Sequence, residues 1–147
     1  MTAKSPKPRL PELAEAQMTP KQRELLADIQ KSRGKAVVGG PFGVFLHAPE
    51  YGDLAQKLGA YCRFHSKLPP RLSEFAILVI ARLWRAQFEW YAHAPIAENA
   101  GVAARTIKEI RSGRVPKSAQ KDERVIYDFV AELHKTRRVS DKTYNRL

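Results

Sequence analysis

Residues 71–101 read RLSEFAILVIARLWRAQFEWYAHAPIAENAG, and this stretch decides the fold. Its first part, FAILVIARLW at 75–84, is apolar nearly all round, which is typical of a helix buried on most sides. Periodicity alone does not separate such a run from a buried strand, but its length, the arginines at 82 and 85 and the entry through Pro70 favour a helix. Since no convincing strand occurs elsewhere, the sequence predicts an all-α fold.

The second part of this stretch predicts another helix with an acid and a histidine on one face. Glu89 and His93 are four residues apart, which places their Cβ atoms about 5–6 Å from each other on a helix. Pro95 removes one backbone hydrogen bond and predicts a kink just after this pair, and Asn99 and Gly101 indicate where the helix ends. A carboxylate beside an imidazole suits general acid–base chemistry, but an exposed pair of little consequence has the same spacing.

The rest of the chain divides at Pro- and Gly-rich segments. Residues 1–18 are rich in Pro and charge, which predicts a flexible N-terminal arm, followed by a single domain over 19–147. The segment GGPFGVFLHAPEYG, residues 39–52, has too many Gly and Pro for regular structure, so we expect a shaped loop that carries His47.

Further helices are expected between these breaks. Thr19 and Pro20 supply an N-cap and a first-turn proline for a helix to about Ser32, which Gly34 ends. The other predicted helices cover about 49–64, with Leu54, Leu58 and Tyr61 at helical spacing, then 103–112, 118–135 and a short segment capped at Ser140 or Asp141.

Composition excludes several classes of protein. The opening residues hold no continuous apolar region of a signal peptide, and the longest apolar run, residues 75–81, is far too short to cross a bilayer. The single Cys62 excludes an intramolecular disulfide framework and a metal site with two cysteines. We therefore expect a cytoplasmic protein that is not bound to a membrane.

The net charge of +11 is concentrated in three segments. Residues 1–9, 105–124 and 135–147 contribute +3, +4 and +4, whereas the stretch around His93 is nearly neutral. Such segments could attract a polyanion by counterion release. No helix-turn-helix, RNP or zinc-finger pattern accompanies them, so solvated faces are the preferred interpretation and nucleic acid is not an expected partner.

The spacing around His93 resembles that of the carboxymuconolactone decarboxylase family, which includes the alkylhydroperoxidase D (AhpD-like) proteins. In the peroxidase branch of that family a glutamate is followed by eleven residues, Cys, two residues, Cys, three residues and His. Glu74 and His93 match the glutamate and the histidine, but Ala86 and Glu89 stand at the two cysteine positions. The resemblance runs from about residue 40 to 138, includes GPFGVFLHAPE, LPPRLSEFAILV and DFVAELHKTRRVSD, and points to the cysteine-free branch.

This resemblance implies an AhpD-like helical bundle that forms a homo-trimer or hexamer, and a carboxy-lyase type of activity in aromatic catabolism. The substrate would be a small cyclic carboxylic acid or lactone, bound in a small apolar pocket around His93. His93 is then the general acid or base, Glu89 its partner, and Glu74 a proton relay or supporting carboxylate. Glu74 could equally be an acid in the first turn of a helix, where the dipole favours it. No organic cofactor and no metal are expected, since Glu89 and His93 give only two ligands where a catalytic zinc takes three.

Four further residues are candidates for substrate binding: His47, Arg82, Arg85 and Tyr91. His47 matches a pocket-facing position in similar proteins, although a loop histidine alone is more often on the surface. The two arginines could bind a substrate carboxylate or form salt bridges within the fold. The aromatic residues Trp84, Phe88 and Trp90 are expected in a core or a subunit interface.

Two other function classes stay open at this point. A thiol peroxidase or antioxidant role is disfavoured because the motif has neither a nucleophilic nor a resolving cysteine. A non-enzymatic helical oligomer that binds a small ligand or a polyanion is the second alternative.

Overall fold

The computed structural model describes residues 10–34 and 39–147, and within these ranges the fold is all-α, as predicted. No strand occurs in this part of the chain. The elements in chain order are a 3-10 helix at Glu15–Gln17, α1 Pro20–Arg33, α2 Pro41–Leu46, α3 Pro49–Phe64, α4 Pro70–Leu83, α5 Gln87–Asn99, α6 Ala104–Arg111, α7 Lys121–Thr136 and α8 Asp141–Tyr144.

The described helices are grouped in two compact units, the first over residues 10–34 and 39–65 and the second over residues 66–147. In the first unit α1 begins as predicted, because the Thr19 side chain accepts from the Gln22 amide and Gln22 reciprocates in a capping box. One face of α1 is buried together with Met18 and Leu46; its core residues are Leu25, Leu26 and Ile29.

The predicted loop over residues 39–52 is wrong in its middle, because α2 forms there. Pro41 occupies the first helical position, where its missing N–H costs nothing, and Gly40 supplies a φ of 60° just before it. The Gly- and Pro-rich composition therefore marks the helix start rather than its absence. Leu46 at the end of α2 is buried against α1.

Helix α3 has the predicted bounds, and its buried positions are Gly52 and Gln56. A Cβ at Gly52 would lie 2.7 Å from the Cβ and the carbonyl oxygen of Phe45, so glycine allows α3 to approach α2 closely. Arg33 donates to the Gln56 side chain (3.0 Å) and to its carbonyl oxygen (2.8 Å). These contacts fix which face of α3 is directed into the first unit.

The second unit is built around α4, which packs against α5, α6 and α7. Phe75 and Leu78 of its apolar run are fully enclosed, but Ile80 and Leu83 are exposed, so the predicted burial on most sides holds for only part of α4. Ile110 of α6 and Ile126 and Val130 of α7 complete this core.

An ionic contact also joins α4 to α7. Arg71 lies between Asp122 and Glu123, and its Nη1 donates to Glu123 Oε1 at 2.8 Å. Glu123 is buried and also accepts from the Gln120 amide at the start of α7. The charge of Glu123 is thereby compensated within the protein.

The remaining helix ends follow the predictions closely. Gly101 has a φ of 101° and ends α5, with the Val102 amide donating to Ala97 O at 2.9 Å. The helices α6, α7 and α8 are confirmed, and the Ser140 side chain caps α8.

The expected division into an arm over 1–18 and a single domain over 19–147 stays a prediction. Residues 1–9 lie outside the described ranges, while Leu13 and Met18 pack in the core of the first unit. None of the helices described here has the length and apolar character needed to span a membrane.

Candidate functional site

The candidate site depends on the turn that joins α4 to α5. Trp84 ends α4, the Ala86 amide donates to Ala81 O at 2.8 Å, and Arg85 between them has a φ of 53°. This is the hydrogen bonding of a Schellman motif, with arginine at the position that usually holds glycine. The left-handed conformation costs a non-glycine residue about 1 kcal/mol. The turn directs α5 back along α4, which brings residues 19 positions apart into contact.

His93 on α5 lies between two carboxylates. Its Nδ1 is 2.6 Å from Glu74 Oε2 on α4, and its Nε2 is 3.5 Å from Glu89 Oε2 on its own helix. The Glu74 side chain is only 5% exposed, the ring is 13% exposed and Glu89 is 41% exposed. The site therefore leads from a buried carboxylate through an imidazole to a carboxylate in contact with solvent.

The carboxylate closest to the His93 ring is not the one that helical spacing predicts. Helical spacing correctly places Glu89 and His93 on one face, but the carboxylate at hydrogen-bond distance is that of Glu74. Glu74 lies beyond the first turn of α4, so the alternative of a first-turn acid does not describe its position. Only the resemblance to the family had linked Glu74 to the histidine, because no local rule connects residues on two helices.

This geometry defines what each ring nitrogen of His93 can do. With Nδ1–H as the donor, the Glu74 carboxylate accepts this hydrogen bond and fixes the orientation of the ring. The other nitrogen, Nε2, points towards the more exposed side, where it can exchange a proton with Glu89 or with a bound molecule. The arrangement suits proton transfer to or from a small molecule at Nε2.

The two candidate arginines have different surroundings. Arg82 Nε donates to Arg111 O at 3.0 Å, and a Cβ at Gly113 would lie 2.7 Å from Arg82 Nη2, so this guanidinium lies against the end of α6. Arg85 forms the strained turn described above and is exposed. Whether either side chain binds substrate stays a prediction.

Tyr91 and His47 also stay predictions as substrate-binding residues. Tyr91 is 79% exposed on α5, two residues from both Glu89 and His93. His47 belongs to the first unit, where its Nε2 is 2.9 Å from the Pro11 carbonyl oxygen. Trp90 packs against the core of the second unit, as expected, whereas Trp84 and Phe88 are exposed.

The apolar pocket expected around His93 stays a prediction as well. A cleft of about 190 Å³ in the second unit is lined by residues of the α6–α7 connection, α7 and Arg146, and does not include His93. Within the described ranges no three His, Cys, Asp or Glu side chains are arranged to hold a metal ion.

Comparison with known proteins identifies the family of this chain. No curated protein and no solved structure matches it at the level of significance that we required. The sequence over residues 49–131, more than half of the chain, matches the Carboxymuconolactone decarboxylase family, and these residues include Glu74, Glu89 and His93. The chain therefore belongs to the Carboxymuconolactone decarboxylase family.

Proposed function

We propose that this protein is a carboxy-lyase that removes CO₂ from a small cyclic carboxylic acid or lactone, with His93 as the proton donor. The observation that carries the proposal is the position of His93 between the buried Glu74 and the more exposed Glu89. A surface histidine without a chemical role needs no hydrogen bond to a buried carboxylate. A histidine that donates a proton benefits from such a carboxylate, because the hydrogen bond orients its ring.

The proposed reaction requires a group in the site that delivers a proton to a carbon atom of the substrate. When the bond to the carboxylate carbon breaks, its electron pair moves into the conjugated lactone as a dienolate, and CO₂ leaves. A proton must then be delivered to carbon. In our proposal the protonated His93 gives its Nε2 proton to that carbon, while Nδ1–H stays hydrogen-bonded to Glu74.

Glu89 completes the cycle because it connects the ring to solvent. Its carboxylate is 3.5 Å from Nε2 and 41% exposed, so it can return a proton to the ring after each turnover. The substrate is anionic, so a cationic group close to Nε2 would hold it. Arg85 is the proposed cationic contact in the second unit. Tyr91 is a weaker candidate, because it is uncharged and residues two positions apart on a helix do not face each other. Arg82 and His47 are also weaker candidates, because both already have partners.

A substrate screen with matched variants tests this proposal. The wild-type protein and the His93→Ala and His93→Asn variants are assayed for CO₂ release from muconolactone-type and β-keto carboxylic acids. The Asn side chain can keep an N–H donor directed at Glu74, but it cannot be protonated at a second nitrogen. We expect both variants to lose at least about 100-fold in kcat, since general acid catalysis contributes about 10²–10⁴-fold.

Thermal unfolding of the same variants separates chemistry from folding. We expect His93→Asn to unfold within a few degrees of the wild type. If His93→Asn retained full turnover, the role of His93 as proton donor would be wrong. Peroxide consumption that survived Cys62→Ser would support the antioxidant alternative instead, and a salt-sensitive shift of duplex DNA would support the polyanion-binding alternative.

A further inference from the structure

Helix α3 carries an exposed apolar stripe that nothing in the proposed chemistry uses. Tyr51, Leu54, Leu58 and Tyr61 follow one another at intervals of three, four and three residues, which is the spacing of a coiled-coil seam. Each of these side chains is between 63% and 71% exposed. Single exposed apolar residues are ordinary, but four in register on one helix face mark an interaction surface.

The stripe is not the face by which α3 joins its own unit. That contact is made on the opposite side of the helix, by the buried Gly52 and Gln56. The two tyrosine rings also contact rings of their own unit. The ring centroids of Tyr51 and Phe45 are 5.8 Å apart in an edge-on contact, and those of Tyr61 and His65 are 6.0 Å apart in a stacked one. Rings held in this way lose little freedom when a partner covers them.

The order of residues in the stripe indicates its partner. Tyr-Leu-Leu-Tyr reads the same in both directions, and its midpoint is at residue 56. When two copies of α3 lie antiparallel about a two-fold axis at this midpoint, Tyr51 faces Tyr61 of the other copy, and Leu54 faces Leu58. A surface that is complementary to itself under a two-fold rotation is what an isologous dimer contact requires.

The charges beside the stripe do not oppose this pairing. Glu50 is paired with Lys21 at 2.6 Å, and Lys57 with Asp53 at 2.7 Å, all within one chain. Each of these two ion pairs beside the stripe therefore has no net charge.

We propose that the Tyr51–Leu54–Leu58–Tyr61 face of α3 binds the same face of a second copy, antiparallel about a two-fold axis. A helix of 16 residues is about 24 Å long, so this face supplies on the order of half of the ~800 Å² per partner of a stable complex. A two-fold contact builds dimers and hexamers but not a simple trimer, and it is independent of the chemistry proposed for His93.

Solution mass against concentration tests the contact, by sedimentation or light scattering on the full chain. We expect Leu54→Glu or Leu58→Glu to halve the mass, from dimer to monomer or from hexamer to trimer, and to weaken association at least about tenfold, because each change enters the contact twice. Val44→Glu, at a similarly exposed site on α2, is the matched control and leaves the mass unchanged. A wild-type chain that is monomeric or trimeric at all concentrations overturns the proposal, as does a mass that neither leucine variant changes.

Disulfide trapping tests the antiparallel orientation even if a glutamate variant folds poorly. Cys62 is exposed and lies six residues from the midpoint, so the two copies of Cys62 would be about 18 Å apart along the helices, beyond disulfide reach. We expect mild oxidation to leave the native chain uncross-linked and to cross-link a mixture of Leu54→Cys and Leu58→Cys chains, both in a Cys62→Ser background, because these two positions face each other in the antiparallel pair. A parallel pair would align the two copies of Cys62, so rapid cross-linking of the native chain contradicts the proposed orientation.

Discussion

His93 is held between two carboxylates that differ sharply in exposure. Glu74 is buried and in close contact with Nδ1, whereas Glu89 is partly exposed and farther from Nε2. A proton donor needs one partner that fixes its orientation and another that can exchange protons with solvent. The two carboxylates are suited to these two tasks by their surroundings, because desolvation acts mainly on the enclosed one.

Replacing Glu74 with Gln tests its role as a positioning residue. The Gln side chain can still accept from Nδ1–H, so the ring orientation is kept, but the negative charge beside the ring is lost. A positively charged ring in the transition state would then lack its compensating carboxylate, so we expect kcat to fall about 10–100-fold at neutral pH. The measurement is kcat at neutral pH, with KM followed in parallel and with the Glu74→Asp variant as the test of rescue by a second carboxylate.

A purely structural role for Glu74 would give a different result. The variant would then lose thermal stability while the folded fraction kept the wild-type kcat. Glu89→Gln is the matched comparison on the other side of the ring. It should lower kcat with little effect on unfolding, because Glu89 is much more exposed.

Helical spacing in the sequence predicts one of the two carboxylate contacts of His93, the contact with Glu89. The spacing of four residues is sufficient to place Glu89 beside His93, because it depends only on the helix of which both are part. Glu74 is different: its contact requires α4 and α5 to pack with a particular register, which is determined by the turn at Arg85. A left-handed arginine has no sequence signal, since glycine is the residue normally expected there.

At the scale of helices, Arg71 connects α4, which carries Glu74, to α7. Hydrogen bonding to Arg71 is the main cause that lowers the pKa of the Asp122 carboxyl below its usual value of 3.8. The same guanidinium compensates the charge of Glu123, whose side chain is 1% exposed. The exposed ion pair with Asp122 therefore contributes little to the free energy of unfolding, whereas breaking the buried pair with Glu123 is strongly destabilising.

We expect Arg71→Met to destabilise the protein by about 2–4 kcal/mol at neutral pH, because it leaves the charge of Glu123 buried without its guanidinium. The ion pair with Asp122 makes this contribution to stability depend on pH. Since its pKa is lowered in the folded state, its contribution is present above about pH 4 and is lost as the pH falls through the folded-state value. The difference between wild type and variant should therefore shrink at acidic pH. Thermal unfolding from about pH 7 to pH 3 measures it.

A second substitution distinguishes the buried charge from simple loss of packing. Arg71→Met combined with Glu123→Gln removes the uncompensated charge and should recover part of the lost stability. No recovery would mean that the stem of Arg71, rather than its charge, joins α4 to α7. Lys57→Ala breaks an exposed ion pair and serves as the control, with an expected change of about 1 kcal/mol or less.

The helices themselves are largely predictable from the sequence, and the departures have physical causes. Pro41 and the preceding glycines are typical of a break in regular structure, although proline at a first helical position is compatible with α2. In α3 the spacing of Leu54, Leu58 and Tyr61 correctly predicted a helix, yet these side chains are exposed and Gly52 and Gln56 are buried. Periodicity identifies an apolar face but does not tell whether the same chain or another molecule covers it.

At the scale of the whole molecule, the net charge of +11 and the apolar stripe of α3 have opposite effects on association. Two copies of a strongly basic chain repel each other over a distance set by salt, with a Debye length of about 10 Å at 0.1 M. The proposed contact is apolar with locally neutral flanks, so no attraction between opposite charges offsets this repulsion. Ionic strength should therefore control how much of the protein is associated.

We expect NaCl to strengthen self-association, since it screens the repulsion between the copies and leaves the apolar contact intact. Between about 0.05 and 0.5 M NaCl the dissociation constant should fall about three- to tenfold. Sedimentation equilibrium of the wild type across this range measures the change, and Leu58→Glu is the control, because its two-fold contact is weakened at least about tenfold. A contact held by ion pairs would weaken with salt. Weaker association at high salt would thus indicate an interface that ion pairs hold, and not the apolar stripe of α3.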